Sequence, residues 1–338
     1  MSIRVSSKKY FREYHGHRVE DLEVVLSHLR KMHTQTVFLA GDSSLDNKFW
    51  FGDEAQAVNG YENILDPPVC RKDIAYWMNV WFEKLGMRGK LSAINCAVEE
   101  STIEARSCHN LLPQDKFIRD NIQANDIFVI SVGGNDVALR PSPCTALSVA
   151  SLVCCTTTPC IKQCTCGCSL PYDDYLCCGA LSNFCACPFG MGHMIHLFST
   201  RIQSIVSRIL TKQKPKLIVI CMIYYLDEKP GNSWAETILS LLGYNSNPEK
   251  LQEVIKQLYH LATERIYIPN TKVLAIPLFE VLNGKNTLDY CERVEPSAVG
   301  GEKMSEFIVT NILTALKEED SSNNNEKKEM EINMIVER

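Results

Sequence analysis

The chain has 338 residues, of which 45% are hydrophobic, and its formal net charge is −5. This length and apolar content suffice for one large core, and the acidic balance excludes a basic face of the kind that binds nucleic acid. Because no apolar run reaches the length of a signal peptide or of a membrane span, we expect a soluble, cytoplasmic protein without a nucleic-acid partner.

Predicted helices and strands alternate along the chain. Apolar residues at helical spacing predict a helix over 19–32, and the apolar run "TVFLAG" directly after it predicts a buried strand. The later elements are a helix over 73–86 that ends at Gly86, strands over 90–98 and 126–132, a helix over 196–213, a strand over 216–225, a helix over 247–266 capped by Asn247, a strand over 272–282 and a helix over 297–317.

This alternation is typical of an α/β fold in which helices cover both faces of a parallel sheet. We therefore predict a three-layer α/β/α sandwich around a mostly parallel five-stranded sheet. The predicted organisation is an N-terminal arm (1–17), one α/β domain (18–143 and 190–318), a Cys-rich insertion (144–189) and a mobile charged tail (319–338).

Two polar loops follow predicted strands. Gly41-Asp42-Ser43 comes after the first strand, and Gly133-Gly134-Asn135-Asp136 comes after the third. Because ligands bind at the carboxyl ends of parallel strands, near the point where the strand order reverses, we expect both loops to meet at one site. The alternative is structural, since Ser43 can also cap a helix and Asn135 can also satisfy loop carbonyls.

Together with "EPSAVGG" before the last helix, these motifs resemble the SGNH, or GDSL-like, hydrolases in their order and positions. The resemblance spans nearly the whole chain apart from the Cys-rich stretch and the two ends. It implies a flavodoxin-like sheet, a serine esterase acting on a small acyl-ester or glycan-ester substrate, and no cofactor for catalysis. Ser43 would be the nucleophile, Asn135 a donor to the oxyanion, and Asp42 and Gly134 their neighbours in the same site.

The sequence departs from the family pattern at two places. Glu100 or a neighbour stands where the family has a glycine whose amide completes the oxyanion hole. The family's final Asp-x-x-His motif is replaced, so that Glu295 occupies the position of the base and Glu292 the position of the residue that orients it. Glutamate is about two pH units weaker as a base than histidine. Burial or a neighbouring carboxylate can raise its pKa, and we expect a Ser–Glu pair that works at mildly acidic pH.

Other interpretations of these positions stay open. His193 and His196 in "GHMIHLF" are alternative candidates for the base, and Glu295-Pro296 can also be a plain helix start. The chain can equally be a catalytically inactive relative that binds an acyl or sugar ligand, or a metal-buffering protein on an inert scaffold.

The insertion is rich in cysteine, with eleven of the sixteen cysteines between Cys144 and Cys187. Paired Cys-x2-Cys motifs of a zinc knuckle are absent, whereas doublets and Cys-x-Cys runs suit thiolates that bridge soft metal ions, zinc first. The predicted zinc ligands are Cys160, Cys164, Cys166, Cys168, Cys177, Cys178, Cys185 and Cys187. Reduced thiols, disulfides, or acylated cysteines that hold the protein on a membrane are the alternatives. We expect the insertion to form a lid or a partner surface over the active face.

Overall fold

The protein is described by a computed structural model that covers residues 4–50, 52–107, 110–164 and 180–336. The strands are β1 (Val5–Ser6), β2 (Gln35–Gly41), β3 (Glu54–Gln56), β4 (Leu65–Asp66), β5 (Val69–Arg71), β6 (Leu91–Asn95), β7 (Ile127–Ser131), β8 (Leu217–Met222), β9 (Lys272–Pro277), β10 (Tyr290–Cys291) and β11 (Glu295–Pro296). The helices are α1 (Ser7–Tyr10), α2 (Val19–Met32), α3 (Tyr61–Ile64), α4 (Ile74–Lys84), α5 (Pro113–Asn121), α6 (Gly134–Ala138), α7 (Pro143–Ala150), α8 (Thr158–Lys162), α9 (Met191–Ile195), α10 (Ile202–Ile209), α11 (Glu236–Leu241), α12 (Pro248–Leu261) and α13 (Ala298–Val336).

The central sheet has five strands in the order β6-β2-β7-β8-β9, and every neighbouring pair is parallel. Counted along the chain this is the order 2-1-3-4-5 of flavodoxin-like folds, in which the strand order reverses beside the first strand. The predicted five-stranded parallel sheet is confirmed. The three other pairings are two-stranded ribbons at the periphery, β1 with β4, β3 with β5 and β10 with β11.

Side chains alternate between two cores on the two faces of the sheet. In β2, Phe38 and Ala40 point to the core covered by α2, α5, α10 and α12. Val37 and Leu39 point to the opposite core, which α4 and α13 cover. All four of these side chains are fully buried, as expected for a strand with helices on both sides. The predicted α/β/α sandwich is therefore confirmed.

The predicted helices occur where the apolar spacing placed them, with differences at their ends. α2 spans Val19–Met32 as predicted, and Gly86 lies just beyond α4 with a left-handed φ of 70°. The helix predicted over 297–317 was too short, since α13 runs to Val336. Glu, Lys and Met are good helix formers, and a helix already anchored by packing propagates at little cost. The mobility of residues 319–338 stays a prediction.

The described part of the insertion packs into the domain. A π-helical turn over Ser151–Cys155 continues α7, and its Leu152 and Val153 are buried in the core that α12 also lines. α8 packs against α12, and α7 packs against α9. The segment between α7 and α8 is thus built onto the helical layer beside β8.

Among the residues that the structure describes, no helix combines the length and the apolar character needed to cross a lipid bilayer.

Candidate active site

The two polar loops leave neighbouring strands where the strand order reverses. Asp42 follows β2, and Gly133 follows β7, which pairs with β2 along its whole length. The chain passes from β2 to β6 on one side and later enters β7 on the other side. Their carboxyl ends therefore border the crevice in which ligands bind in such sheets.

Close contact between these two strands requires glycine at the end of β2. Gly41 has a φ of 130°, and a Cβ atom there would lie 1.7 Å from the carbonyl oxygen of Ser131. Directly after this contact, the Asp42 carboxylate accepts hydrogen bonds from the Ser44 amide at 3.0 Å and from the Gly133 amide at 3.2 Å. Asp42 thereby fixes the position of the β2 loop relative to the β7 loop. Burial is the main cause that raises the pKa of Asp42.

Ser43 meets the carboxylate that occupies the position of the base. The Oγ atom of Ser43 donates a hydrogen bond of 3.1 Å to Oε1 of Glu295, and both residues are buried. The Oε2 atom of Glu295 has no hydrogen-bond partner among the described residues. In this arrangement a carboxylate is within hydrogen-bond reach of a hydroxyl proton, which is the geometry that general-base activation of a hydroxyl requires.

The surroundings of Glu295 weaken it as an acid. Burial raises its pKa from 4.5 to about 8, and the nearby carboxylates of Asp42, Asp46 and Glu100 act in the same direction. The hydrogen bond from Ser43 opposes the shift. This pKa lies above the mildly acidic range expected from the sequence, because burial cannot be read from the residue type alone. The working pH itself stays a prediction.

Two contacts hold the Glu295 segment against the sheet. The side-chain amide of Asn47 donates to the carbonyl of Pro296 at 3.0 Å, and the amide of Ile74 donates to the Asn47 side chain at 3.3 Å. The Tyr224 hydroxyl at the end of β8 donates to the carbonyl of Val294 at 2.7 Å. The segment is thus fixed on both sides of the carboxylate that faces Ser43.

Asn135 lies beside Ser43 at the start of α6. Both residues line the same space of about 60 Å³, together with Gly134 and Glu295. One N–H of the Asn135 amide donates to the carbonyl of Ser101 at 3.1 Å. A primary amide has two N–H donors, so a second remains for a developing oxyanion.

Glu100 has a backbone conformation that accounts for a glycine at this place in the family pattern. Its φ is 57°, in the left-handed region that favours glycine. Its carboxylate accepts a hydrogen bond of 2.8 Å from the Tyr14 hydroxyl and pairs with Arg140 at 2.7 Å. The negative charge is therefore compensated by a cation, and the backbone at Glu100 has the left-handed φ that a glycine also adopts readily.

Glu292 lies near the site without touching Glu295. It borders the open cleft in front of Ser43, where one of its carboxylate oxygens accepts a hydrogen bond of 3.2 Å from the Trp234 amide. Arg293 points away from Glu295, because its guanidinium pairs with Glu236 at 2.6 Å. The structure therefore gives no contact through which Glu292 would orient Glu295.

The two histidines considered as alternative bases belong to a different part of the domain. His193 and His196 are buried around the end of α9, and neither borders the spaces that contain Ser43. The Nε2 atom of His193 lies 3.0 Å from the Thr145 hydroxyl. Burial lowers the pKa of His196 to about 4, aided by Arg201 and His193.

The sequence analysis did not predict the buried lysine that pairs with Asp46 near the site. Lys48 is fully buried and bonds both carboxylate oxygens of Asp46 at 2.6 and 2.7 Å. Its Nζ atom also lies 3.8 Å from Glu99, whose pKa is raised to about 9 by burial and by Asp46. The only sequence signal was the charged pair that follows Gly-Asp-Ser-Ser, which reads equally well as a solvated turn.

Among the described residues, side chains of the types that can bind a metal ion come together at one place. His17, Asp46 and Asp73 are buried there, and their ligand atoms lie within 4.8 Å of one another. Lys48 already compensates Asp46, and Asn95 donates to Asp73 at 3.1 Å.

The predicted zinc ligands in the insertion form no such group among the described side chains. Cys160 and Cys187 are exposed and Cys164 is buried. Cys166, Cys168, Cys177, Cys178 and the Cys185 side chain lie outside the described residues. Zinc binding by the insertion stays a prediction.

The Ser43–Glu295 pair opens onto a cleft of about 470 Å³. Aromatic side chains border it, with Tyr14 from the N-terminal arm, Trp50 from the loop after β2 and Trp234 from the loop before α11. Glu100 and Glu292 supply the charged part of the rim. The cleft can therefore receive a ligand with both polar groups and a flat or apolar face.

No protein-family model matches the sequence, and no curated protein is similar to it in sequence. In structure the chain is similar to an extracellular lipase from Streptomyces rimosus, with a TM-score of 0.42, 10% identity and coverage of 82% of this chain and 98% of the lipase. A carbohydrate esterase of family 3 from Talaromyces cellulolyticus gives a TM-score of 0.39, 9% identity and coverage of 84% and 98%. A family 3 carbohydrate esterase from Clostridium thermocellum gives a TM-score of 0.38 and 13% identity, with coverage of 83% of this chain and 98% of the esterase.

These similarities concern the fold alone. The central sheet has the order 2-1-3-4-5, and Ser43, Asn135 and Glu295 border one space at its carboxyl edge. The roles of the site residues depend on the geometry of the site itself.

Proposed function

We propose that the protein is a serine esterase in which Ser43 is the nucleophile and Glu295 is the general base. The observation that carries the proposal is the 3.1 Å hydrogen bond from the Ser43 hydroxyl to Glu295 at the switch point of the sheet. The two residues come from segments 252 positions apart, so local turn geometry does not account for their contact.

The reaction follows the chemistry of acyl transfer. The Ser43 oxygen attacks the carbonyl carbon of the ester, and its proton passes to the ionised Glu295. The Asn135 side-chain amide and the backbone amides of Ser43 and Glu100 stabilise the oxyanion. Glu295 then protonates the leaving alcohol as the ester C–O bond breaks. A water molecule, deprotonated by Glu295, attacks the acyl carbon, and Glu295 returns that proton to the Ser43 oxygen as its bond to the acyl group breaks and the carboxylic acid leaves.

A catalytically inactive binding protein is the second candidate, and the raised pKa of Glu295 favours it at neutral pH. A carboxyl group with a pKa of about 8 is mostly protonated at pH 7 and cannot accept the Ser43 proton. The two functions therefore differ most clearly above pH 8, where an esterase gains activity and a silent binder does not.

The test is hydrolysis of p-nitrophenyl butyrate between pH 6 and pH 10. We expect turnover that falls by at least about a thousandfold in Ser43→Ala, because the nucleophile is lost. Ser27→Ala, a change at an exposed serine of α2, serves as the matched control and should leave the rate within about twofold. Equal activity in Ser43→Ala, or none at any pH in the unaltered protein, would contradict the proposal.

A further inference from the structure

A second, wholly apolar cavity lies behind the catalytic site. It measures about 60 Å³, and Gly134, Ala138, Ile223 and Leu226 border both this cavity and the space that contains Ser43. The two spaces therefore adjoin each other and share these four wall residues.

The cavity is lined without exception by apolar residues. One wall comes from the insertion, through Val149 of α7 and Leu152 and Val153 of the turn that follows it. The opposite wall comes from α12, including Val254, and Met194 of α9 closes it further. The insertion thus contributes directly to the interior next to the site.

The open cleft on the other side of Ser43 has a different character. Glu100 and Glu292 border that cleft together with three aromatic side chains, whereas none of the described residues that border the apolar cavity is charged. An ester has an acyl chain that is apolar and an alcohol part that can be polar. The difference in chemistry between the two spaces fixes which half of the substrate each can hold.

We infer that the apolar cavity binds the acyl chain of the substrate and selects chains of about four to six carbons over acetyl. This inference rests on the proposed esterase function. The space beside Ser43 and the cavity behind it measure about 60 Å³ each. Together the two spaces measure about 120 Å³. This approaches the roughly 150 Å³ of an apolar cavity that holds the six carbons of benzene, so a short acyl chain of about four to six carbons matches the combined space. The alcohol part occupies the open cleft.

The selectivity for acyl length follows from burial of the acyl chain in the apolar cavity. Each methylene group that enters an apolar cavity should raise kcat/KM about fourfold until the cavity is full. Butyrate and hexanoate esters of p-nitrophenol should therefore exceed the acetate ester by at least about tenfold, and the decanoate ester should fall below both.

Two substitutions should move this preference in opposite directions. Val254→Phe fills the cavity and should lower the ratio of hexanoate to acetate turnover at least about tenfold. Met194→Ala enlarges it and should move the optimum toward octanoate. Val299→Phe, the same change at a residue 49% exposed on α13, is the control and should leave the ratio unaltered. Loss of stability alone cannot produce opposite shifts in the two variants.

Binding of hexanoate by titration calorimetry separates the two proposals. We expect Ser43→Ala to bind hexanoate and Val254→Phe to bind it at least about tenfold more weakly. Turnover that prefers acetate, or a chain-length preference unchanged in both cavity variants, would overturn the inference while leaving the esterase intact. Hexanoate binding without any turnover would overturn the esterase proposal and leave the acyl site standing. A folded Ser43→Ala that binds no hexanoate would overturn the acyl site.

Discussion

Ser43 and Glu295 lie in segments 252 residues apart, and the Ser43 hydroxyl donates a 3.1 Å hydrogen bond to the Glu295 carboxylate. Both side chains are buried, so solvent does not compete for this contact. In the related sequence pattern a histidine stands at the position of Glu295. A carboxylate at this position would act as a base in its negatively charged form, whereas a histidine base is neutral.

The pH dependence of turnover should report this base. Because burial raises the Glu295 pKa to about 8, kcat/KM should rise about tenfold per pH unit below pH 8 and level off above it. The measurement is the initial rate of p-nitrophenyl butyrate hydrolysis across pH 6 to 10, corrected for spontaneous hydrolysis. A profile that is highest at pH 5 to 6 would contradict the assignment of Glu295.

Substitutions of Glu295 provide the controls for that profile. Glu295→Gln should lower kcat/KM at least about a hundredfold at pH 9, since the amide cannot accept a proton. Glu295→His should move the midpoint of the profile toward the ordinary histidine pKa of about 6.5 if the ring reaches Ser43. An unchanged midpoint in a Glu295→His variant that retains activity would mean that another group titrates.

The free energy of unfolding should fall as the pH rises, because the pKa of Glu295 is raised in the folded protein. The folded protein holds the Glu295 proton up to about pH 8, whereas the unfolded chain releases it near pH 4.5. Between these values the unfolded state binds fewer protons, so the free energy of unfolding decreases with increasing pH. Glu295→Gln should therefore be more stable relative to the unaltered protein at pH 9 than at pH 4. The difference in the free energy of unfolding between the two proteins should be larger at pH 9 by about 3 to 5 kcal/mol. Urea unfolding at the two pH values measures the difference, and an equal effect at both would contradict the burial of a protonated Glu295.

The central sheet and five of the helices, namely α2, α4, α10, α12 and α13, could be predicted because their signals are local. Apolar runs identify strands such as β2 and β8, and the period of α2 gives both of its ends. The Ser43–Glu295 contact was predictable only through the order of motifs, since no local pattern joins segments 252 residues apart. The pKa of Glu295 was not predictable, because it depends on burial and on charges from other segments.

Arg140 should protect the oxyanion from the charge of Glu100. Arg140→Met leaves the Glu100 carboxylate without its ion pair at the rim of the cleft, and we expect kcat/KM to fall about tenfold. The double variant Glu100→Gly with Arg140→Met should recover most of that loss, because glycine keeps the amide in its left-handed conformation. A double variant as slow as Arg140→Met alone would show that Arg140 acts in another way.

Gly41 should be indispensable for folding. In Gly41→Ala the new methyl group would lie 1.7 Å from the Ser131 carbonyl oxygen, which the paired strands cannot accommodate without moving apart. We expect a loss of at least about 3 kcal/mol in the free energy of unfolding, or no folded protein. Gly231→Ala is the matched control, since a Cβ atom there meets nothing within 4 Å. Comparable unfolding curves for the two variants would contradict the close approach of β2 and β7.

Lys48 should contribute to stability through the charges it neutralises. Lys48→Met leaves the buried Asp46 carboxylate without a cation, at a cost of about 3 to 5 kcal/mol. Lys31→Met, at an exposed position of α2, should change the free energy of unfolding by less than about 0.5 kcal/mol. Chemical unfolding of both variants at pH 7 makes the comparison, and equal stabilities would mean that Asp46 is protonated without Lys48.

The sequence predicted that the insertion lies over the active face, but it did not predict which of its residues border the apolar cavity. The cysteine content drew attention to metals, whereas the buried residues of α7 and the turn after it are ordinary aliphatic side chains. Val149 and Leu152 border the apolar cavity only because other helices, including α12, supply the rest of its lining. Such walls depend on tertiary packing, which residue spacing within one helix does not reveal.

The most direct test of the catalytic assignment is covalent labelling by a fluorophosphonate, followed by peptide mass spectrometry, at pH 6 and pH 9. We expect one adduct, on Ser43, that forms at least about tenfold faster at pH 9 than at pH 6 and is absent from Ser43→Ala, because only the ionised Glu295 activates the hydroxyl. An adduct that persists in Ser43→Ala, or no adduct at either pH, would contradict the account.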